Sequence, residues 1–244
     1  MPKGIITALA LSASLLAGGA GASAHADQTP MPTDIGGGIG TSLHENHRGG
    51  GHRSSPYFRS AFNGPDAGWR NVVGTWSVRN GNLQAMGAPG RFSSVKHVGT
   101  FDDFEFEVRM NRVGNSDGSA PNCLIVRANP SRVVKDLWAP GYYFCYSNNG
   151  KVLVVAVDAR GNQEQLMPWT SVKEVGTGGG YRTVNVIALE HYFAFYVNNT
   201  PVFETKDDLS SFGSVGAGFY VERGKRGTLM IDYANLGPVK AAKG

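Results

Sequence analysis

Residues 181–204 read YRTVNVIALEHYFAFYVNNTPVFE, and this stretch decides the fold class. Apolar residues occupy alternate positions in 184–189 and again in 192–197, with turns at 190–191 and 198–199. Period-two runs rich in Val, Tyr and Phe, broken by short turns, are typical of an antiparallel meander. The stretch therefore predicts antiparallel sheet and an all-β protein.

The same kind of pattern continues over residues 55–238. Turn sequences such as Asn80-Gly81 and Arg160-Gly161 separate about fourteen short candidate strands, which is typical of two packed antiparallel sheets. This length is enough for one large sandwich with a substantial core. We therefore predict a single jelly-roll β-sandwich domain.

The two ends of the chain differ in composition from this domain. The first 26 residues have a positively charged start, an apolar run and small residues before Ala26, which predicts a signal peptide cleaved after Ala26, with cleavage after Ala24 as the alternative. Residues 27–54 are rich in Gly and His and predict a flexible linker, and residues 239–244 predict a short basic tail. No later apolar run is long enough to cross a bilayer, so we expect an exported protein, secreted or periplasmic, with no transmembrane segment.

The charge of the chain is mild. The formal net charge is +4, and the lysines and arginines are scattered without a block of five like charges. Nucleic-acid binding needs a concentrated basic surface. We therefore expect no nucleic-acid partner.

Cys123 and Cys145 are the only cysteines. In an exported chain they can oxidise, so a disulfide is predicted, with two buried free thiols as the alternative. If strands 122–128 and 141–147 pair antiparallel with the cysteines opposite each other, Ile125 faces Tyr143. The first face of this pair then carries Cys123, Ile125, Arg127, Tyr143, Cys145 and Ser147, and the second face, which is the better core face, carries Leu124, Val126, Tyr142, Phe144 and Tyr146.

Several stretches occur in a characteristic order: GTWSV at 74–78, FDDFEFEVRM at 101–110, CLIVRA at 123–128, GYYF at 141–144, the YVNN turn at 196–199 and IDYANL at 231–236. In this order they resemble the concanavalin A-like lectin/glucanase superfamily, especially its laminin G-like bacterial modules, over about residues 58–237. The resemblance implies a concanavalin A-like jelly roll. The superfamily includes lectins, carbohydrate-binding modules, glucanases and keto-disaccharide hydrolases, so the fold alone does not decide the function.

Asp103, Glu105 and Glu107 are the candidate catalytic residues. Positions i, i+2 and i+4 of a strand share a face, and retaining glycosidases need two carboxyls about 5–5.5 Å apart. By order, however, the strand that carries the acids in the superfamily's glucanases resembles 142–146, which reads YYFCY without a carboxylate. We therefore interpret the three acids as a solvated strand face with Arg109 as a compensating neighbour, and keep catalysis as the alternative.

Arg127 and Tyr143 are predicted to share a sheet face and to line a shallow glycan site. A pyranose has an apolar face and a polar rim, and an aromatic ring beside a planar hydrogen-bonding group matches both. Trp138 and Trp169, on loop-like segments near Pro140 and Pro168, would extend this site. The alternative is that all four residues are structural.

Structural calcium is left open, and no other cofactor is predicted. Oxygen ligands are available at Asp117, Asp158, Asn162 and Asp232, but they form no dense string of ligands. We interpret the chain as an exported, non-catalytic, lectin-like module whose partner is a polysaccharide or glycoconjugate. A glycoside or keto-glycoside hydrolase on the same fold is the first alternative, and a structural or adhesive envelope protein is the second.

Overall fold

The computed structural model describes residues 58–64, 68–115 and 118–239, so the predicted signal peptide, the linker and nearly all of the basic tail lie outside the described residues. The strands in chain order are β1 Phe58–Ser60, β2 Trp69–Val73, β3 Ser77–Arg79, β4 Asn82–Met86, β5 Arg91–His97, β6 Phe104–Gly114, β7 Asn122–Ala128, β8 Val133–Val134, β9 Leu137–Trp138, β10 Gly141–Ser147, β11 Lys151–Val157, β12 Gln163–Ser171, β13 Arg182–Leu189, β14 Tyr192–Val197, β15 Thr200–Lys206, β16 Ser214–Val221 and β17 Gly227–Gly237. A short 3-10 turn covers Lys173–Val175. Among the described residues, no helix has the length and apolar character needed to cross a bilayer.

The strands form two large antiparallel sheets. Sheet 1 has the order β15-β14-β13-β6-β17-β4-β3, with β1 also paired to β17, and sheet 2 has the order β12-β11-β10-β7-β16-β5-β2. The predicted meander is β13-β14-β15, with every pair antiparallel. Asn198 and Asn199 turn the chain between β14 and β15 with φ of 50° and 65°, a left-handed conformation that Asn tolerates better than most residues. The all-β, two-sheet jelly-roll prediction is confirmed.

The main core lies between the two sheets. Along β13 the side chains alternate strictly between buried and half-buried positions, and Val184, Val186 and Ala188 face the core. Phe193 and Phe195 do the same on β14. Because each fully buried side chain of this size stabilises the fold by about 1.5–3 kcal/mol, the alternating pattern fixes which face of sheet 1 is outward.

The central pair of sheet 2 has the predicted register. Cys145 lies opposite Cys123 and Tyr143 opposite Ile125. The two cysteines form a disulfide with a Cα–Cα distance of 4.0 Å, so the predicted disulfide is confirmed. The bond closes a loop with a sequence separation of 22 residues. On loop-entropy grounds it contributes roughly 3 kcal/mol.

A second apolar layer covers the outer face of sheet 2. Residues 129–140, which we call the covering segment, contain the β8–β9 hairpin and bring Leu137 and Trp138 onto that face. The hairpin is tied to β5 by a bidentate pair between the Arg91 guanidinium and the Asp136 carboxylate, at 3.0 and 2.5 Å. The indole of Trp138 needs the glycine at 216, because a Cβ there would lie 2.5 Å from the ring.

Candidate functional site

Three of the four predicted glycan-binding side chains lie in the interior. Arg127, Tyr143 and Trp138 are exposed to 1%, 3% and 0%. Trp169 is half-buried on β12 and packs against the same apolar layer. The structure therefore brings Tyr143, Trp138 and Trp169 together, as expected, but as a closed packing layer that leaves little surface for a sugar. Whether any of the four contributes to sugar binding stays a prediction.

The predicted orientation of Arg127 is wrong. Its φ is 46°, and the pairing of β16 with β7 shifts register between Ser214 and Gly216, opposite this position. The irregularity turns the side chain away from Tyr143, and the guanidinium lies 5.0 Å from the centroid of the Phe193 ring, which belongs to the core between the sheets.

The Arg127 guanidinium closes one end of the sandwich. It donates to the carbonyls of Asp102, at 2.8 Å, and Glu190, and to the Asp103 carboxylate at 3.1 Å. Burial lowers the pKa of Arg127, and the charge of Asp103 opposes that change. The side chain thus joins the segment before β6 to the turn between β13 and β14.

The Tyr143 hydroxyl is also committed to structure. It accepts a hydrogen bond from the backbone N–H of Trp138 at 2.5 Å and donates to the carbonyl of the same residue at 3.2 Å. The Trp138 indole N–H in turn donates to Ser94 at 2.9 Å. Burial raises the pKa of Tyr143, so the hydroxyl stays protonated and holds the covering segment on the sheet.

The three candidate acids separate into two environments. Asp103 precedes β6, and its carboxylate accepts hydrogen bonds from Arg127 and from the backbone N–H of Glu190 at 2.7 Å. Glu105 and Glu107 lie on β6 and point to the outer face of sheet 1. The structure therefore places two of the three acids together on one open face.

Glu105 and Glu107 belong to a group of polar and aromatic side chains on that outer face, which we call the tyrosine face. Its members are half-buried or exposed. They are Tyr192, Tyr196, Tyr233, Glu105, Glu107, Glu204, Asn185 and Asn235.

Strand register places these side chains in rows across the sheet. One row runs Tyr196, Asn185, Glu107, Asn235 and Arg59, across β14, β13, β6, β17 and β1. Neighbouring strands are about 4.8 Å apart, so this row spans roughly 19 Å. A row of this length is long enough to contact several units of an extended ligand.

The neighbouring row includes one small side chain. It contains Ala194, which points outward yet is only 2% exposed. Tyr192 and Tyr196 flank it on the same strand face and cover it, because residues i and i+2 point the same way. The small Ala194 side chain therefore lies beneath the two tyrosine rings.

Hydrogen bonds hold the tyrosine face in place. The Asn185 side-chain amide donates to Glu105 at 2.9 Å. Burial, followed by a hydrogen bond to Glu204, raises the pKa of Tyr192. Burial also raises the pKa of Tyr233, and its contact with Glu107 adds to that rise. Tyr192 and Tyr233 therefore stay protonated, and each is oriented by a hydrogen bond to a carboxylate.

The tyrosine face continues into a pocket of about 380 Å³ between β1, β6 and β17. Glu105 and Glu107 form one wall, and Phe58, Arg59 and Asn235 contribute to the others. Ligand pockets commonly have volumes of about 300–1,000 Å³. The volume therefore suits a small part of a ligand that extends along the face.

The predicted calcium ligands that the structure describes already have protein partners. The Asp158 carboxylate accepts 2.8 Å hydrogen bonds from the backbone N–H groups of Arg160 and Asn162 and from the Asn162 side chain, and the side-chain bond is the first cause of its lowered pKa. Asp232 pairs with Arg109, and Asp117 lies outside the described residues. Within the described ranges no group of three His, Cys, Asp or Glu could hold a metal. Calcium stays an untested prediction.

The tyrosine face was not predicted as a site, although the sequence contained a signal for it. Tyr192 and Tyr196 occupy the outward positions of the same meander whose inward phenylalanines predicted the core. Tyr233 and Asn235 occupy outward positions of β17. What the sequence pattern did not provide was the pairing of β6 with both β13 and β17, which brings the two sets together.

Solved structures similar to this chain share its fold. The carbohydrate-binding module CBM66 from Bacillus subtilis is 17% identical with a TM-score of 0.50, over 66% of this chain and 91% of that one. The Bacillus licheniformis β-glucanase is 12% identical with a TM-score of 0.54, over 75% of this chain and 99% of that one. An endo-β-galactosidase from Clostridium perfringens is 14% identical with a TM-score of 0.54, over 80% of this chain and 66% of that one.

No family model matches the sequence, and no curated protein matches it. At these identities the similarity shows the fold, which is the concanavalin A-like jelly roll.

Proposed function

We propose that this chain is an exported, non-catalytic carbohydrate-binding module that holds a polysaccharide or glycoconjugate on its tyrosine face. One observation carries the proposal: half-exposed tyrosines alternate with carboxylate and amide acceptors across an open sheet face that leads into a pocket. The apolar face of a sugar stacks on aromatic rings, and its hydroxyls donate to carboxylates and amide oxygens. The similar structures include a carbohydrate-binding module and two glycan hydrolases, which supports a carbohydrate ligand.

Strand β10 supports binding without catalysis. Its inward residues are Tyr142, Phe144 and Tyr146, all in the core between the sheets. Its outward residues Tyr143 and Cys145 lie under the second apolar layer. The strand that resembles the glucanases' acid-bearing strand therefore has neither a carboxylate nor an accessible face.

A glycoside hydrolase is the second candidate, because Glu105 and Glu107 line the same pocket. Their positions two residues apart on one strand separate the Cα atoms by about 6.5–7 Å. This spacing brings two carboxylates close enough for acid–base chemistry on a bound sugar. Release of reducing ends by the native chain, lost in both Glu105→Gln and Glu107→Gln, would establish this candidate in place of the first.

Export rests on the predicted signal peptide and on the disulfide. Disulfides persist in oxidising compartments, such as the periplasm or the exterior. The Cys123–Cys145 bond is consistent with such a compartment.

The test compares ring and hydroxyl at one position. The full chain is run by affinity electrophoresis through gels containing neutral polysaccharides, as the native protein and as Tyr196→Ala and Tyr196→Phe. Alanine removes the stacking ring and should weaken retention at least about tenfold, whereas phenylalanine keeps the ring and should retain most binding. Thermal unfolding of each variant checks the fold. Retention unchanged in Tyr196→Ala would refute binding on this face, and no retention of the native chain by any glycan would refute the function.

A further inference from the structure

A second pocket lies outside the tyrosine face. It has a volume of about 540 Å³ and lies where β5 and β7 end and β16 begins. Its walls include the covering segment and the loop before β16. The lining residues that matter here are Lys96, Thr100, Asn129, Ser131, Ser210 and Phe212.

Phe212 is unusual among the phenylalanines of this chain. It is 64% exposed, whereas the other eleven of the twelve phenylalanines are buried or half-buried. An exposed phenyl ring has no polar atom that water can solvate, so its position gains nothing for the free protein. Its place on the wall of a pocket is consistent with a ligand that covers the ring.

The backbone holds this ring in its exposed position. Phe101 and Gly213 exchange two hydrogen bonds of 2.8 and 3.0 Å, and the Ser210 hydroxyl donates to the Phe212 carbonyl at 2.9 Å. A Cβ at position 213 would lie 2.4 Å from the carbonyl carbon of Arg127, so only glycine lets the loop approach the end of β7 this closely. The ring is therefore presented by an anchored loop, which lowers the entropy lost on binding.

The chemistry around the ring is that of a sugar site. Lys96, Asn129 and Ser131, whose side chains carry an amine, an amide and a hydroxyl, line the same pocket as Phe212. An apolar ring beside several separate hydrogen-bonding groups matches the apolar face and hydroxyl rim of one sugar unit. We propose that this pocket is a second sugar-binding site, which takes one unit of a neutral glycan. The class of ligand rests on the proposed function, but the site does not depend on the tyrosine face.

The two pockets lie near the same end of the sandwich. Phe58, on the wall of the first pocket, stacks on His97 with a centroid distance of 3.6 Å, and His97 follows Lys96 of the second pocket. Two weak sites on one protein can engage one polysaccharide together and raise its retention beyond that of either alone. The second site would therefore add avidity for polymers over short oligosaccharides.

The experiment maps binding by site. The full chain, labelled with ¹⁵N, is titrated with short gluco-, galacto- and fructo-oligosaccharides, and the backbone amide shifts are followed by NMR. Thr100, Asn129 and Gly213 report the second pocket, and Glu107 and Tyr196 report the tyrosine face. Phe212→Ala should weaken saccharide binding at the second pocket at least about tenfold and leave the tyrosine face unchanged. Met86→Ala, which removes an exposed apolar side chain outside both pockets, is the matched control.

Each outcome separates the two proposals. Shifts at both sets of amides, with only the second-pocket set lost in Phe212→Ala, support both sites. Shifts confined to the second pocket support this inference and overturn binding on the tyrosine face. Shifts confined to the tyrosine face, or second-pocket shifts that survive in Phe212→Ala, overturn the second site alone. No shift with any saccharide of the panel overturns both.

Discussion

Replacement of Arg127 by alanine should destabilise the fold rather than act on a glycan site. The side chain is buried, and it joins the Asp102 and Glu190 carbonyls at the end of the sandwich. Alanine would remove these contacts and leave both carbonyls to find water. It would also keep a non-glycine residue at a φ of 46°.

The magnitude follows from the three partners. A hydrogen bond to a charged group contributes about 1.5–3 kcal/mol, so the two carbonyl contacts contribute roughly 3–6 kcal/mol before the cost of burying the guanidinium is counted. Asp103 is 45% exposed, so solvent screens its ion pair and it adds less than about 1 kcal/mol. Since removal of a buried charge also ends its desolvation cost, we take the low end and expect a loss of about 3 kcal/mol.

The assays are urea denaturation, which gives the free energy of unfolding, and thermal unfolding, which gives the Tm, of the native chain, Arg127→Ala, Arg127→Lys and Arg127→Gly. For a domain of this size about 3 kcal/mol corresponds to a fall in Tm of roughly 6–12 °C. Lysine keeps the charge without the planar fork and should recover only part of the loss. Glycine should be somewhat more stable than alanine, because it adopts positive φ without strain. A loss below about 1 kcal/mol in Arg127→Ala would refute the structural role assigned to this residue.

Two further changes test other parts of the molecule. Trp138→Ala should lower the free energy of unfolding, measured by urea denaturation, by about 3–5 kcal/mol, as large-to-small core substitutions do. A loss below about 1 kcal/mol would mean that the covering segment is not packed as part of the core. Lower pH should destabilise the fold through His97. Burial and the charge of Arg70 lower the pKa of His97, and its hydrogen bond to the Val98 carbonyl offsets part of that change. As the pH falls, the unfolded state takes up the proton on His97 first. The contribution of His97 to stability is therefore complete above its ordinary pKa of about 6.5 and is lost as the pH falls through its pKa in the folded state. The stability difference between pH 7.5 and 5.5 should shrink in His97→Phe, and an unchanged difference would contradict the assignment.

Local alternation made the meander of sheet 1 and the central pair of sheet 2 predictable. The inward Val184 and Val186 repeat at a period of two, and that period survives in the fold because one face must be buried. The Cys123–Cys145 pairing was enough to set the register of β7 against β10, since pairing one couple of an antiparallel ladder fixes all the others.

The alternation of side chains between the two sheet faces failed to predict the orientation of Arg127, because a β-bulge adds one residue to a strand. The positive φ there, and the register shift of β16 against β7, put one residue out of the alternation. A bulge of this kind depends on the neighbouring strand, and β16 lies about ninety residues later in the chain. Nothing within strand 122–128 announces it.

The burial of Trp138 was hidden for a similar reason. Its indole lies where Gly216 leaves space and donates to Ser94, and these residues belong to β16 and β5. The covering segment has no periodicity of its own, so its sequence is that of an exposed loop. Only the assembled outer face of sheet 2 makes it a packing layer.

The outer faces of the two sheets differ in how far they are open to a ligand. The apolar covering segment and the disulfide close the outer face of sheet 2 over Cys123 and Tyr143. The outer face of sheet 1 has no such cover among the described residues, and its outward tyrosines keep their rings half-exposed beside Glu107 and Asn185. A sheet face that served only as a solvated surface would not need tyrosines hydrogen-bonded to carboxylates of neighbouring strands, as Tyr192 and Tyr233 are, because isolated polar residues are solvated equally well. The site is therefore expected on sheet 1, opposite to the sheet that the sequence favoured. A comparison of Tyr196→Ala with Arg127→Ala separates the two locations. Tyr196→Ala should lose glycan retention at full stability, whereas Arg127→Ala should lose stability while its folded fraction keeps glycan retention.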